Sequence, residues 1–351
     1  MINSRQEILF IYDVTDANPN GDPLDENKPR IDEETGINIV TDVRLKRTIR
    51  DYLYSYKGFD VKGGKDIFVR EIPDEESGIQ DAKKRALDFL NSEIEEEIDR
   101  KELVSGFVSG KVKIDTKELF ILKENISKNL ICLSIDVRLF GATVPMEVTK
   151  DKTKKGDKDI KSSITFTGPV QFNMGRSLNK VVLTHIKGTG AFASKLGREA
   201  KTFRDEYILP YSLIAFHGIV NENAARETQL QESDVELMQE ALWMGTKNLI
   251  TRSKMGHMPR LMIRVVYKQD NFFIGELQKR IKINSSIEDE KIRGPEDFVL
   301  DIGKLLEELS RHSEKIEKVI FAADKALKLV SKGKEVDLNK IEGIRFEEAV
   351  Y

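Results

Sequence analysis

The first apolar-rich stretch, Glu7-Ile8-Leu9-Phe10-Ile11-Tyr12-Asp13-Val14, reads as a buried opening strand. It empties into Asn18-Pro19-Asn20-Gly21-Asp22-Pro23, with Lys28-Pro29-Arg30 and Glu34-Thr35-Gly36 behind it. Asn-Pro, Asn-Gly and Asp-Pro are turn formers, so this stretch is an irregular surface loop. Beyond Val40 the period becomes helical. Leu45, Ile49, Tyr52, Leu53 and Tyr56 fall at i, i+4, i+7, i+8 and i+11 and form one apolar face, with Thr41 or Asp42 as the cap. Lys46 and Arg50 lie one turn apart on the other side, with Arg47 beside them. A capped helix with cations on its first turns suits phosphate groups, although solvation alone also places charge on an outer face.

Further on, Asp66 to Arg70 reads as a short strand and Asp81 to Arg100 as a helix. The apolar run Leu130 to Phe140 is a strand by the same pattern, ending in Phe140-Gly141. Met146 to Ser163 is lysine-rich and nearly devoid of apolar residues, which predicts a mobile loop. Strand patterns return over Ile164 to Asn173 and Lys180 to Ile186, and Thr184 to Tyr207 makes a polar, basic excursion. Its glycines and cations predict an exposed hairpin carrying Phe192 near the tip. Tyr211 to Val220 is an apolar strand, and Ser233-Asp234-Val235-Glu236 is a capping box for a helix running to about Asn248. Arg252-Ser253-Lys254-Met255-Gly256 forms a basic loop before a strand at Arg260 to Lys268, and Pro295 to Gly333 has a helical pattern, read as two helices. Intermixed strands and helices with long insertions predict an α+β domain elaborated by excursions.

A length of 351 residues with 39% hydrophobic and 33% charged content describes a globular protein with a highly charged surface. The net charge of −3 hides an asymmetry: Lys150 to Arg204 holds 13 basic against 4 acidic residues, while Asp74 to Asp99 holds 10 acidic against 3 basic. Local fields, not totals, decide what a face attracts. The single cysteine, Cys132, lies in an apolar run and is expected to fill core; no disulfide can form within one chain, which fits a reducing cytoplasm. No apolar run is long enough to span a membrane and no signal-peptide pattern is present, so a cytoplasmic protein is expected.

Signatures for a P-loop, a paired-histidine metal site, a nucleophile elbow and a dinucleotide fold are absent, and no cofactor is expected. The four histidines are scattered. Asp13, Asp16, Asp22, Asp25, Asp32 and Asp42 flank the basic loop and helix and could hold Mg²⁺ for strand cleavage, but turn-forming and helix-capping aspartates account for them more simply. Binding is the stronger reading. Lys46 and Arg50, the stretch from Arg176 to Arg198, and Arg252-Ser253-Lys254 combine cations with Gly, Ser or Thr, as a sugar-phosphate backbone requires. Few aromatics accompany them, so little sequence readout is expected.

Asp16-Ala17-Asn18-Pro19-Asn20-Gly21-Asp22-Pro23, Val40-Thr41-Asp42-Val43 with Leu45-Lys46-Arg47, Arg138-Leu139-Phe140-Gly141, Gly168-Pro169-Val170-Gln171-Phe172 with Gly175-Arg176-Ser177, Glu240-Ala241-Leu242-Trp243 and Arg252-Ser253-Lys254-Met255-Gly256 occur in order. Together they resemble the backbone subunit of type I CRISPR Cascade complexes, nearest the I-B branch, over about residues 5 to 270. The resemblance implies a ferredoxin-like, RRM-like palm with a finger insertion and a thumb β-hairpin. It places the palm at 1–57 and 130–351, the thumb at about 184–207 and the fingers at about 58–129 plus the loop 142–165. Residues 271–351 would be a helical extension packed on the palm.

Copies would stack along one CRISPR RNA, leaving bases free to pair with target DNA, in company with a large subunit, a small subunit and subunits capping the guide ends. Residues implied at the RNA are Asn18, Asn20, Thr41, Arg44, Lys46, Arg47, Arg50, Phe140, Gln171, Arg176, Ser177, Lys187, Phe192, Lys195, Arg252, Ser253 and Lys254. No catalytic or metal-binding residue is implied, so the expected protein is a scaffold and not an enzyme. The alternative is a metal-dependent ribonuclease: related type III backbone subunits cut target RNA with a loop aspartate, for which Asp22, Asp25 or Asp32 would stand. A self-assembling protein needing no nucleic acid is a third reading. The palm lacks the aromatic signature of sheets that stack bases, which fits backbone binding.

Overall fold

A computed structural model of the chain describes residues 1–60, 64–74, 78–90, 116–146, 162–189 and 203–351. It forms two compact units: Asn3–Ile49 with Gln171–Val220 and Met238–Tyr351, and Met1–Ile2 with Arg50–Val170 and Asn221–Leu237.

The first unit is built on six elements: β1 (Gln6–Ala17), α1 (Asp42–Tyr56), β2 (Gly175–Lys180), β3 (Phe203–Val220), α2 (Glu232–Lys247) and β4 (His257–Tyr267). The unit boundary falls within α1 and within α2. The strands lie in the order β4-β1-β3-β2 with every neighbour antiparallel, the ferredoxin-like arrangement that the resemblance implies. Ile316–Ala323 and Phe346–Glu348 extend the sheet beyond β4, and Ile37–Val40 and Ile31–Asp32 extend it beyond β2. Phe10 faces Phe216 across the β1–β3 ladder. Where Tyr12 meets Pro259, which cannot donate to a ladder, the β1–β4 register slips by one residue. Arg260, the residue passed over, turns its guanidinium to the buried Asp13, with Nε 2.7 Å from Oδ2.

Leu9, Ile11, Leu213, Ala215, Leu261, Ile263 and Val265 share a core with Leu277, Phe298, Leu300, Leu305, Leu309 and Leu338. The C-terminal residues therefore close one sheet face, the face on which RNA-recognition motifs stack bases. They are not the two helices expected over Pro295 to Gly333, nor is 271–351 a helical extension. One α-helix, Gly303–Arg311, lies among short strands, including Phe298–Asp301 and Leu329–Ser331. Leu305 and Leu309 carry the helical period, the strands of three and four residues offer too few alternations to register beside them, and the eight-residue strand Ile316–Ala323 was missed within the same stretch.

The second unit has its own core, in which Phe68, Leu87, Leu122, Ile126, Leu130, Val137 and Ile164 pack together. Residues 130–140, read as a palm strand, are helical and belong here: Thr116–Leu133 and Ile135–Phe140 are helices. Leu122, Ile126 and Leu130 at four-residue intervals bury one helix side, and Cys132, expected in core, is exposed. Asp66 to Arg70 contributes an isolated bridge, Asp66 to Ser134, in place of a strand. Of the helix expected over Asp81 to Arg100, residues 91–100 lie outside the described residues; the described part is helical over Ala82–Leu87, its Asp81 cap accepting from Lys83 N and Lys84 N at 2.9 and 2.8 Å.

The lysine-rich stretch after Met146 lies largely outside the described residues; strands Gly141–Pro145 and Ser163–Thr167 pair on either side of it. Thr184–Thr189 pairs with the first part of β3, Thr184 with Ile208 through Thr189 with Phe203, so the stem of the expected hairpin is present. Phe192 and Lys195 lie outside the described residues. Among the described residues no helix is long and apolar enough to cross a membrane.

Candidate nucleic-acid interface

Backbone hydrogen bonds join the turn-rich loop to the basic loop. Asn18 N donates to Ser253 O at 2.9 Å, and Thr15 N to Gly256 O at 3.1 Å. Gly256 has φ +107°, and a Cβ there would lie 2.3 Å from Thr15 O, so only glycine lets the two chains meet. Lys254 Nζ donates to the carbonyls of Asn18 and Pro19. The same loop is tied to α1, because Asn20 Oδ1 accepts from Thr41 N at 2.8 Å and Thr41 Oγ1 at 2.9 Å. Thr41 Oγ1 in turn accepts from Arg44 N, the capping role expected of it. Loop, helix start and basic loop thus form one platform in the first unit.

Several residues expected at the RNA are spent on building that platform. Asn18 is 3% exposed, and its side-chain amide donates to Asn27 O at 2.7 Å. Ser177 is buried: its hydroxyl accepts from Asn38 N at 2.9 Å and donates to Asn179 O at 2.6 Å, so it serves the β2 edge and not a ligand. Burial, with the charge of Arg44 second, pulls Lys254 down to about 7, so near neutrality it is a clamp on two carbonyls more than a fixed cation.

Arg50 and Phe140 belong to the second unit. Arg50 Nε donates to the fully buried Asp136 at 2.9 Å, and its guanidinium sits 5.1 Å from the Phe140 ring centroid, so the expected open cation is a packed, paired one. Four-residue spacing puts Lys46 and Arg50 on one helix side, but spacing does not reveal a carboxylate from residue 136.

Other expected residues reach the surface. Lys46 does so only in part, its side chain 13% exposed like that of Arg50, and its Nζ bonds Asp42 at 3.0 Å and the exposed Gln171 at 3.2 Å. Arg47 and Lys187 are exposed, as is Arg176, which lies 3.3 Å from Asp32. Arg252 Nη2 lies 2.7 Å from Glu206 Oε2 on the hairpin stem. A cleft of about 390 Å³ opens between stem and loops, lined by Asn18, Glu26, Asn27, Asp205, Glu206, Tyr207, Thr251, Arg252 and Ser253. Tyr207 and Glu206 escaped the sequence reading; their only signal was their place at the root of the basic excursion. The aspartates needed for metal-dependent cleavage are each engaged: Asp22 with Arg30 and Leu24 N, Asp25 with Lys28, and Asp32 with Arg176 and Glu34 N. Among the described residues no group of three or more possible ligands could hold a metal ion.

Beneath the platform, His257 stacks on Tyr12 at 5.7 Å, and its Nδ1–H donates to Lys254 O. Burial first, then the charge of Lys254, holds the imidazole down at about 3 against an ordinary 6.5. The unfolded chain then takes up the proton first as pH falls, so this contribution to stability is whole above pH 6.5 and is lost progressively toward pH 3. Thermal unfolding of wild type and His257→Phe across this range should show a shallower acid dependence in the variant; parallel profiles would refute the assignment.

The comparisons with known proteins now bear on this geometry. The family model for CRISPR-associated protein Cas7 matches residues 4–303. The chain belongs to the Cas7 family. It is 32% identical over 342 residues to the CRISPR-associated protein Cas7 of Haloferax volcanii, covering 93% of this chain and 88% of that protein. A chain from the solved structure of a CRISPR RNA-guided surveillance complex, pre-nicking, is similar in fold, with a TM-score of 0.53 and 12% identity over 99% of this chain and 97% of its own.

Cas7 membership bears out the resemblance that the ordered motifs carried. One of those motifs has a packing reason. Gly141 has φ +71°, and a Cβ on Gly168 would come within 2.1 Å of the Phe140 carbonyl, so Phe140-Gly141 and Gly168-Pro169 are two sides of one backbone contact.

Proposed function

We propose that this chain is a non-catalytic backbone subunit that binds CRISPR RNA and polymerises along it within a type I-B Cascade complex, for recognition of target DNA in antiviral defence. The observation that carries the reading is the joined platform: one loop system sewn together by backbone bonds and bordered by Lys46, Arg47, Arg176 and Arg252. Separate basic patches would attract RNA without guiding it, whereas a continuous rigid one fixes the path of a phosphate chain. The sheet face that could stack bases is closed, which leaves backbone contacts as the main source of affinity. In this reading the Thr184–Tyr207 hairpin is the thumb and much of the second unit supplies the fingers. The H. volcanii relative and the surveillance-complex chain support membership in such an assembly.

RNA co-purifying with the protein from its host should sequence as CRISPR guides, and complementary RNA with Mg²⁺ should survive intact. Random cellular RNA would remove the guide-binding role. Regularly spaced cuts that vanish in Asp22→Ala, Asp25→Ala or Asp32→Ala would favour the ribonuclease.

Arg47 and Arg176 test the phosphate path at the residue level. Replacing both with alanine should weaken binding for every RNA sequence alike and reduce the slope of log K against log salt by about 0.7 per lost contact. The fold should hold, since exposed substitutions usually change stability by about 0.5 kcal/mol or less. An unchanged slope would remove both residues from the path.

A further inference from the structure

The root of the hairpin is fastened on two sides. Tyr207 OH donates to Glu26 Oε2 at 2.9 Å, Lys28 Nζ lies 5.3 Å from the Tyr207 ring centroid, and His185 stacks on that ring at 4.5 Å while bonding Asp205 at 3.0 Å. The first two contacts hold the stem to the turn-rich loop, and the last two lie within the stem, where His185 is paired with Tyr207. On the other side Arg252 of the basic loop donates to Glu206 at 2.7 Å. The two fastenings differ in chemistry. The first combines a hydrogen bond from a tyrosine hydroxyl with a cation held over the same ring. The second is an ion pair whose arginine side chain is 52% exposed and whose carboxylate is 25% exposed. Such pairs are weak because water and salt screen them. A guanidinium also donates to two oxygens of a phosphate at once, and phosphate binding releases counterions from the RNA, so phosphate has the advantage in any exchange.

We propose that Glu206 is an internal competitor for the phosphate at Arg252: RNA binding exchanges the carboxylate for a phosphate and breaks this bridge between the hairpin stem and the basic loop. The inference rests on the RNA-binding reading given above. In the RNA-free chain the pair keeps Arg252 occupied beside Glu26, Asp205 and Glu206, so stray nucleic acid meets a cleft edge whose cation is already neutralised. Once phosphate takes Arg252, the stem keeps its attachment to the turn-rich loop through Tyr207, Glu26 and Lys28. Glu206 thereby sets a threshold: a short or poorly placed strand does not repay the lost pair, and a strand held along the whole platform does.

The test is a double-mutant cycle on the full chain, read by fluorescence anisotropy with a labelled single-stranded RNA oligonucleotide. Glu206→Gln keeps the shape and removes the competing charge, and it should tighten RNA binding by about two- to fivefold, the range expected for an exposed ion pair. Arg252→Ala should weaken binding, and adding Glu206→Gln to it should bring no further change, because the competition has lost its object. Asp205→Asn removes a neighbouring charge of the same sign that pairs with His185, and should do less than Glu206→Gln. Equal gains from Asp205→Asn and Glu206→Gln, or a gain from Glu206→Gln that persists without Arg252, would mean general charge repulsion and overturn the exchange. Strong RNA binding that Arg252→Ala leaves unaltered would overturn it too while sparing the wider RNA-binding reading; absence of binding by the wild type would sink both.

Discussion

Glu7→Ala should lower the stability of the first unit by on the order of 4 kcal/mol, enough to threaten the fold of an average domain. Glu7 is fully buried on β1 and accepts from four donors. His217 Nε2 on β3 lies 2.8 Å from one carboxylate oxygen, the Tyr267 hydroxyl on β4 donates to the other, and Ile274 N and Gly275 N from the C-terminal segment each donate at 2.8 Å. Removing the acceptor leaves these groups dry and unmatched, and each unmatched buried donor costs about 1–3 kcal/mol. Glu7→Gln keeps the volume but turns an acceptor oxygen into a donor against donors, so it should also destabilise. Chemical denaturation followed by the fluorescence of Trp243, the single tryptophan, reads the effect directly. A loss below about 1 kcal/mol would show that the C-terminal segment docks on the sheet through apolar contact alone.

Asp136→Ala should cost the second unit about 3–5 kcal/mol, because it strands a partly buried cation together with two backbone donors. Asp136 accepts from Arg50 Nε at 2.9 Å, Phe68 N at 2.8 Å and Val69 N at 3.0 Å. The variant Asp136→Leu combined with Arg50→Leu should be milder than Asp136→Ala alone, since removing both charges spares the uncompensated one. Unfolding monitored by far-ultraviolet circular dichroism ranks the two. If the double variant proves the worse, the guanidinium is worth more for its packing on Phe140 than for its charge, and the ion-pair account fails.

How much of this was legible beforehand depended on whether a signal was local. β1, the first four buried positions of the α1 face, the hairpin stem and the strand ending at Val220 all follow from apolar period and turn residues close in sequence. Tyr56, the last position on the same α1 stripe, is 58% exposed, because a helix end can leave the core while its pattern continues. Helix Glu222–Thr228 escaped because Glu222-Asn223-Ala224-Ala225 carries almost no apolar stripe. The partners that turned Arg50, Ser177 and Lys254 inward come from residues 86, 139 and about 235 positions away, and no spacing rule reaches that far. Charge type and loop chemistry therefore located the surface, while which cations remain open on it was a property of the fold. The family motifs crossed that gap in part, since Phe140-Gly141 and Gly168-Pro169 mark a contact that neither segment alone would suggest.

The C-terminal cover on the β-sheet has a consequence for how such a protein can change. With its base-stacking face sealed by Leu300, Leu305 and Leu309, the first unit would meet partners through rims and loops, and none of Lys46, Arg47, Arg176 and Arg252 belongs to the core behind that face. Substitutions in the two groups should then combine almost additively. Loops 18–30 and 251–256, moved together as the hydrogen-bonded pair they form, should be portable between relatives: a chimera would inherit the donor's guide affinity and the recipient's melting temperature.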